Sequence, residues 1–166
     1  MAKAIEGLDD WKVLELTDLR ILEANRRNPP MEEADEGEDV TEAISIVERW
    51  LGFSDPTTTV MPLGAAVLES INVERDKIEH IVEKRRDARE RYVNLAIDTL
   101  KDPFEVWETA YDDDQVRYIF IGAYAQRYQM LVVVSPWNGK VLWNFMQTEP
   151  KGLNKHRRGI LLYQKI

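Results

Sequence analysis

Apolar residues recur along the chain with helical spacing up to about residue 101 and with strand spacing from Val116 onward. Val40 to Leu51 places Ile44, Val47 and Leu51 on one helical face, and Gly52 is positioned to stop that helix. Leu8 to Leu22 reads as an amphipathic helix, free to pack on the domain or on a partner. Asp55-Pro56 and Pro62 to Gly64 mark turns, with Val60 and Val67 to Ile71 as candidate strands. Asn72 suits the N-cap of a helix running to about Arg86. Asp87 with Glu90 three residues on has capping-box spacing and opens a helix to about Lys101; one kinked helix or two fits the pattern equally. Asp102-Pro103-Phe104-Glu105 resembles a third start, a short turn through Trp107.

Beyond it, Val116 to Tyr124, Gln129 to Ser135 and Lys140 to Gln147 are rich in β-branched and aromatic residues, with Asn138-Gly139 joining the last two as a hairpin. Gly152 to Arg158 predicts a helical turn and Ile160 to Gln164 a last strand. The expected architecture is α+β: N-terminal helices followed by a four-stranded antiparallel sheet.

Charge divides the chain. Residues 1–60 carry 6 Lys/Arg against 15 Asp/Glu, a net of −9, whereas residues 61–166 carry 16 against 15. Met31 to Glu42 holds seven acids and no base directly after Pro29-Pro30, the composition of a self-repelling linker. Residues 1–40 are therefore expected to form an acidic extension and linker, mobile over Met31 to Asp39, and residues 41–166 the folded domain. From Lys151 to Ile166 there are five bases and no acid, a local potential that draws anions whatever the net charge of −8. Met1 to Asp10 lacks a signal-peptide pattern and no run approaches the roughly 18 apolar residues of a membrane span, so no membrane association is expected. Absence of cysteine removes disulfides and thiolate sites.

The sequence contains no GxGxxG, no phosphate-binding loop, no GxSxG and no HExxH, and two histidines without cysteine make a structural zinc site unexpected. No cofactor is called for. What remains is acid/base chemistry on an anion. His80 lies about 40° from Lys84 on a helical wheel and away from the stripe of Ile78, Ile81 and Val82. Arg85 falls within that stripe, so it must face either an internal acid, with Glu105 and Glu108 as candidates, or a phosphate. Regular alternation puts Leu142, Asn144, Met146 and Thr148 on one strand face and Val141, Trp143, Phe145 and Gln147 on the other. Arg117 shares a face with Ile119 and Ile121. Lys151, Lys155, His156, Arg157 and Arg158 form either a solvated helix face or, if folded back beside His80, the cations of an RNA site. Cleaving RNA without metal requires a base for the 2′-hydroxyl, an acid for the leaving oxygen and cations for the charge on phosphorus.

His80-Ile81-Val82-Glu83-Lys84-Arg85, Asp87-Ala88-Arg89-Glu90-Arg91-Tyr92, Leu100 to Trp107, Trp143-Asn144-Phe145 and Arg158 to Tyr163 together resemble the phage barnase/EndoU/colicin/RelE-like nuclease family. Such domains often end Mu-like phage minor head proteins. The resemblance spans roughly residues 60 to 166. It implies a ribonuclease-like domain that cleaves RNA by 2′-hydroxyl attack, with His80, Arg85, Asn144 and Arg158 as catalytic candidates. Lys84, Arg117, Thr148, Lys151, Lys155 and Arg157 would be the nucleic-acid contacts. The competing reading is a catalytically silent virion or head-assembly module that docks other phage proteins through residues 1–40. The expected location is accordingly the host cytoplasm or the virion.

Overall fold

The computed structural model describes residues 2–166. Seven strands form one sheet in the order β1-β2-β6-β5-β4-β3-β7. They are β1 (Val60–Ala65), β2 (Glu69–Glu74), β3 (Glu105–Ala110), β4 (Val116–Gly122), β5 (Gln129–Ser135), β6 (Val141–Thr148) and β7 (Ile160–Gln164). All neighbours run antiparallel except β2 and β6, which touch in parallel at Asn72 and Val141. The α+β class holds and all four expected strands form, but the sheet has seven strands, not four.

Of the three additional strands, β1 and β2 extend the candidate strands at Val60 and at Val67 to Ile71, with Pro62 to Gly64 inside β1 and not in a turn; the rest of β2 and all of β3 replace features read otherwise. Asn72 does not cap a helix: it lies in β2 between buried Ile71 and Val73, and its N–H donates to the Lys140 carbonyl at 2.8 Å. The helix expected there shrinks to α2 (Ile78–Val82). The turn expected after Asp102 is β3, the inner strand that pairs β4 on one side and β7 on the other. Glu105, a candidate internal acid in the sequence, is fully buried, but it stands on this strand and not in a helical turn.

Helix α1 (Val40–Leu51) forms as predicted, with Asp39 accepting from the Glu42 N–H at 2.8 Å and Gly52 closing it at φ 90°. Two helical segments span residues 89–101, a 3-10 turn at Arg89–Tyr92 and α3 (Val93–Lys101), with Ala88 in the left-handed region before them. Glu90 forms no capping box; its side chain points inward. Helix α4 (Pro150–Asn154) precedes β7.

One face of the sheet, with Val106, Phe120, Val132, Val134, Leu142 and Phe145, packs under α1, α2 and α3. The opposite face, with Trp107, Ile119, Ile121 and Leu131, packs under Leu153 of α4 and under Leu19 and Leu22 of the N-terminal segment. The helix expected over Leu8 to Leu22 is absent. Asp10 accepts the N–H groups of Lys12 and Val13, Glu15 sits at φ 57°, and Asp18 caps a single 3-10 turn at Leu19–Ile21. Short acidic side chains that bond their own backbone favour turns over helix here. The segment is held by backbone bonds to the C-terminal region, Trp11 N–H to Arg157 O at 2.9 Å and Gly159 N–H to Asp9 O at 2.8 Å. Gly159 is required where it stands: φ is +107°, and a Cβ would collide with the Glu108 carbonyl oxygen. Residues 31–39 follow as irregular chain with contacts of their own, including Ala34 N–H to Arg91 O at 2.7 Å.

Arg157 ties these pieces together. Fully buried, it binds Glu105 through Nε to Oε1 at 2.6 Å and Nη2 to Oε2 at 2.7 Å, and Nη1 donates to Thr17 O and Asn154 Oδ1. Its guanidinium also lies over the Trp11 ring at 5.4 Å. Removing one member of such a pair strands the other charge. Arg157→Met is therefore expected to lower stability by roughly 3–5 kcal/mol in urea melts, and adding Glu105→Gln should restore part of that loss.

Candidate functional site

Helix α2 buries Ile78, Ile81 and Val82 and so turns His80 outward, with 72% of its side chain exposed. Glu83 Oε1 lies 3.8 Å from its Nδ1. Across from it, β6 carries a bulge: Leu142 pairs with Val134 and Asn144 with Val133, leaving Trp143 without an opposite residue. The bulge shifts the strand's phase, so Leu142 and Phe145 share one core face and the regular alternation expected for this strand does not hold. Trp143 and Asn144 are re-aimed and, with Lys77 and His80, line a cavity of about 380 Å³.

Asn144 is held by Arg89, whose Nη1 donates to its Oδ1 at 3.0 Å. The Arg89 Nε is buried with no hydrogen-bond partner. Trp143 meets Trp137 edge to face, with ring centroids 5.2 Å apart, and Lys77 Nζ lies 5.5 Å from the Trp143 ring. The cavity thus joins an imidazole, an amide, a cation and an exposed aromatic ring, with Arg89 bonded to the amide.

Of the expected catalytic residues, only His80 and Asn144 meet. Arg85 grips Glu90 in a bidentate pair, Nη1 to Oε1 at 2.7 Å and Nη2 to Oε2 at 2.6 Å, and also donates to Gly37 O. It is the internal ion pair, formed with Glu90 and not with Glu105 or Glu108. Burial alone would push the Glu90 carboxyl up; bonds from Arg85 and the Gly37 N–H outweigh it and hold it below the usual carboxylate range. Lys84 is exposed on the turn after α2.

The remaining candidates stand elsewhere. Arg117 is buried in a pair with Asp113 at 2.7 Å and stacks on Tyr111 and Trp137. Arg157 is the core ion pair described above. Thr148 ends β6 and donates to the Glu149 carbonyl. Lys151, Lys155 and Arg158 line a separate cleft that shares no lining residue with the His80 cavity. His156 faces a third cavity beside Thr109, Tyr111 and Arg158, where burial, then Arg158 and Lys155, push its pKa below the usual histidine value.

Sequence reasoning missed Lys77, Arg89 and Trp143 as neighbours of His80. Lys77 precedes His80 by three residues, a spacing that could have drawn it in; Arg89 and Trp143 arrive only through the turn at Ala88 and the β6 bulge. Among the described residues no group of three or more His, Asp or Glu side chains is placed to hold a metal ion, and no helix is long and apolar enough to cross a membrane.

The result is a mixed α+β domain in which the bulge of β6 and the short helix α2 bring His80 to an aromatic-lined cleft. The chain belongs to the phage-Barnase-EndoU-ColicinE5/D-RelE like nuclease2 family, whose model matches residues 56–164. No curated protein and no solved structure matches it.

Two measurements separate the roles of these side chains. His80→Ala should leave the melting temperature nearly unchanged because its side chain is largely exposed, whereas Arg85→Met should cost roughly 3 kcal/mol by stranding buried Glu90. His156 should make stability pH-dependent: with its folded pKa depressed, stability is present above about pH 6.5 and is lost as pH falls through the lower folded value. His156→Gln should flatten that part of the stability curve.

Proposed function

We propose that this nuclease-like domain is a metal-independent ribonuclease acting at the His80 cavity. The observation that supports the reading best is the meeting of an exposed imidazole with Asn144, Lys77 and Trp143 in one cavity, with Arg89 bonded to Asn144. In this reading His80 takes the proton of a ribose 2′-hydroxyl as that oxygen attacks the adjacent phosphorus. The bond from phosphorus to the 5′-oxygen breaks, that oxygen takes a proton from water, and a 2′,3′-cyclic phosphate remains. Lys77 and Arg89 offset the charge gathered on the phosphate, in the place first assigned to Arg85 and Arg158, and Asn144 donates its amide N–H to a phosphate oxygen. Trp143 supplies a face for a neighbouring base. RNA is the proposed partner.

The test is incubation of the full chain with total RNA in chelator, with product ends examined for cyclic phosphate. His80→Ala is expected to lower the rate by about 10²–10⁴, the range for losing a general base. Asn144→Ala should cause a smaller loss while Arg89 remains in place. Full activity in His80→Ala would overturn the assignment, and RNA bound but left intact by the wild type would favour a binding module.

A further inference from the structure

A second cleft, of about 490 Å³, lies where the N-terminal segment crosses α4 and the turn after it. Its lining includes Lys12, Arg20, Lys151, Lys155 and Arg158 against a single carboxylate, Asp10. Arg20 is already neutralised by Asp18 through Nε and Nη2. Among the described residues none of the other four cations forms an ion pair, and Arg158 Nε is buried with no hydrogen-bond partner.

Cations without an acid partner occur elsewhere in the chain; what sets this cleft apart is that four of them line it together against one carboxylate. The chain carries a net charge of −8, and Arg75, Arg85, Arg91, Arg117, Arg127 and Lys165 each find an acid. Four unneutralised cations at one cleft repel one another, a cost that an anion removes. The walls are held by bonds within the chain. The Asp10 and Arg158 backbones pair in a bridge, and Asn154 bonds both the Leu19 N–H and Asp18.

We propose that this cleft binds the phosphates of a polynucleotide backbone. Four cations less Asp10 leave three net positive charges, more than one phosphate monoester of about −1.5 to −2 would neutralise, and the pattern of a run of singly charged diesters. Lys12 lies outside residues 56–164, so the site joins the family domain to the chain that precedes it. It does not depend on His80 chemistry.

The test uses the full chain with RNA methylated at the 2′-oxygens, which has no free 2′-hydroxyl to attack, so that this cleavage cannot intervene whichever way the first reading falls. Binding of a single-stranded RNA of about 12 nucleotides is measured against salt and against inorganic phosphate. Lys12→Ala/Lys155→Ala changes two exposed side chains, and an unchanged melting curve confirms that it folds. It should weaken RNA binding roughly tenfold and reduce the salt slope by about 1.4, while Arg49→Ala/Lys101→Ala leaves both unchanged. Equal loss in the two double variants, or none in the first, would overturn the site. Loss of inorganic phosphate binding with RNA binding intact would overturn the polynucleotide assignment in favour of a free phosphate.

Discussion

The pair between Arg157 and Glu105 is the constraint on which the rest of the lower sheet depends. Two charges without solvent contact are stable only if each lone pair and each N–H is matched, and here the matching groups come from four separate stretches of chain. Glu105 belongs to β3, Arg157 to the approach to β7, Asn154 to α4, and Thr17 and Trp11 to the N-terminal segment. Satisfying one guanidinium therefore fixes the order of the outer strands, seats the N-terminal segment and sets the walls of the second cleft at once.

Arginine supplies the same logic on the helical side, where neighbouring residues meet different fates. Arg85 folds back on Glu90 and joins residue 37 to the turn after α2; Arg89, four residues later, reaches across to β6 and holds Asn144. The left-handed turn at Ala88 separates the two directions. Without the bulge at Trp143 the strand's phase would not change between Leu142 and Phe145, and Asn144 would not keep its present setting beside His80. Core packing and the cavity are thus two results of one extra residue.

Local patterns made much of this visible in the sequence. The end of α1 follows from Gly52, and β4 to β7 from runs of β-branched and aromatic residues; Asn144 stands out because it interrupts an apolar strand, and His80 because its imidazole can trade protons near neutral pH. What local pattern cannot carry is the identity of a distant partner. Arg157 looks like a surface residue until paired, which made it a nucleic-acid candidate, and Glu105, offered as an internal acid for Arg85, pairs with Arg157 instead. Arg85 was rightly placed against an acid or a phosphate, but Glu90 was read as a helix cap. The N-terminal segment showed helical spacing, and tertiary bonds to residues 157 and 159 overrode it.

The two borders of the sheet are guarded unequally. On β1, Pro62 has no N–H to offer a neighbour. On β7, Ile160, Leu162 and Tyr163 are exposed along a strand whose outer side has no partner within the described residues, and the side-chain contact of Lys165 with Asp102 lies just past its end. Unpaired, apolar edges template further strands. In concentrated or crowded solution, colloidal failure of this protein would begin by chain-to-chain addition at β7, which makes that border, and not the larger hydrophobic core, the place where its shelf life is set.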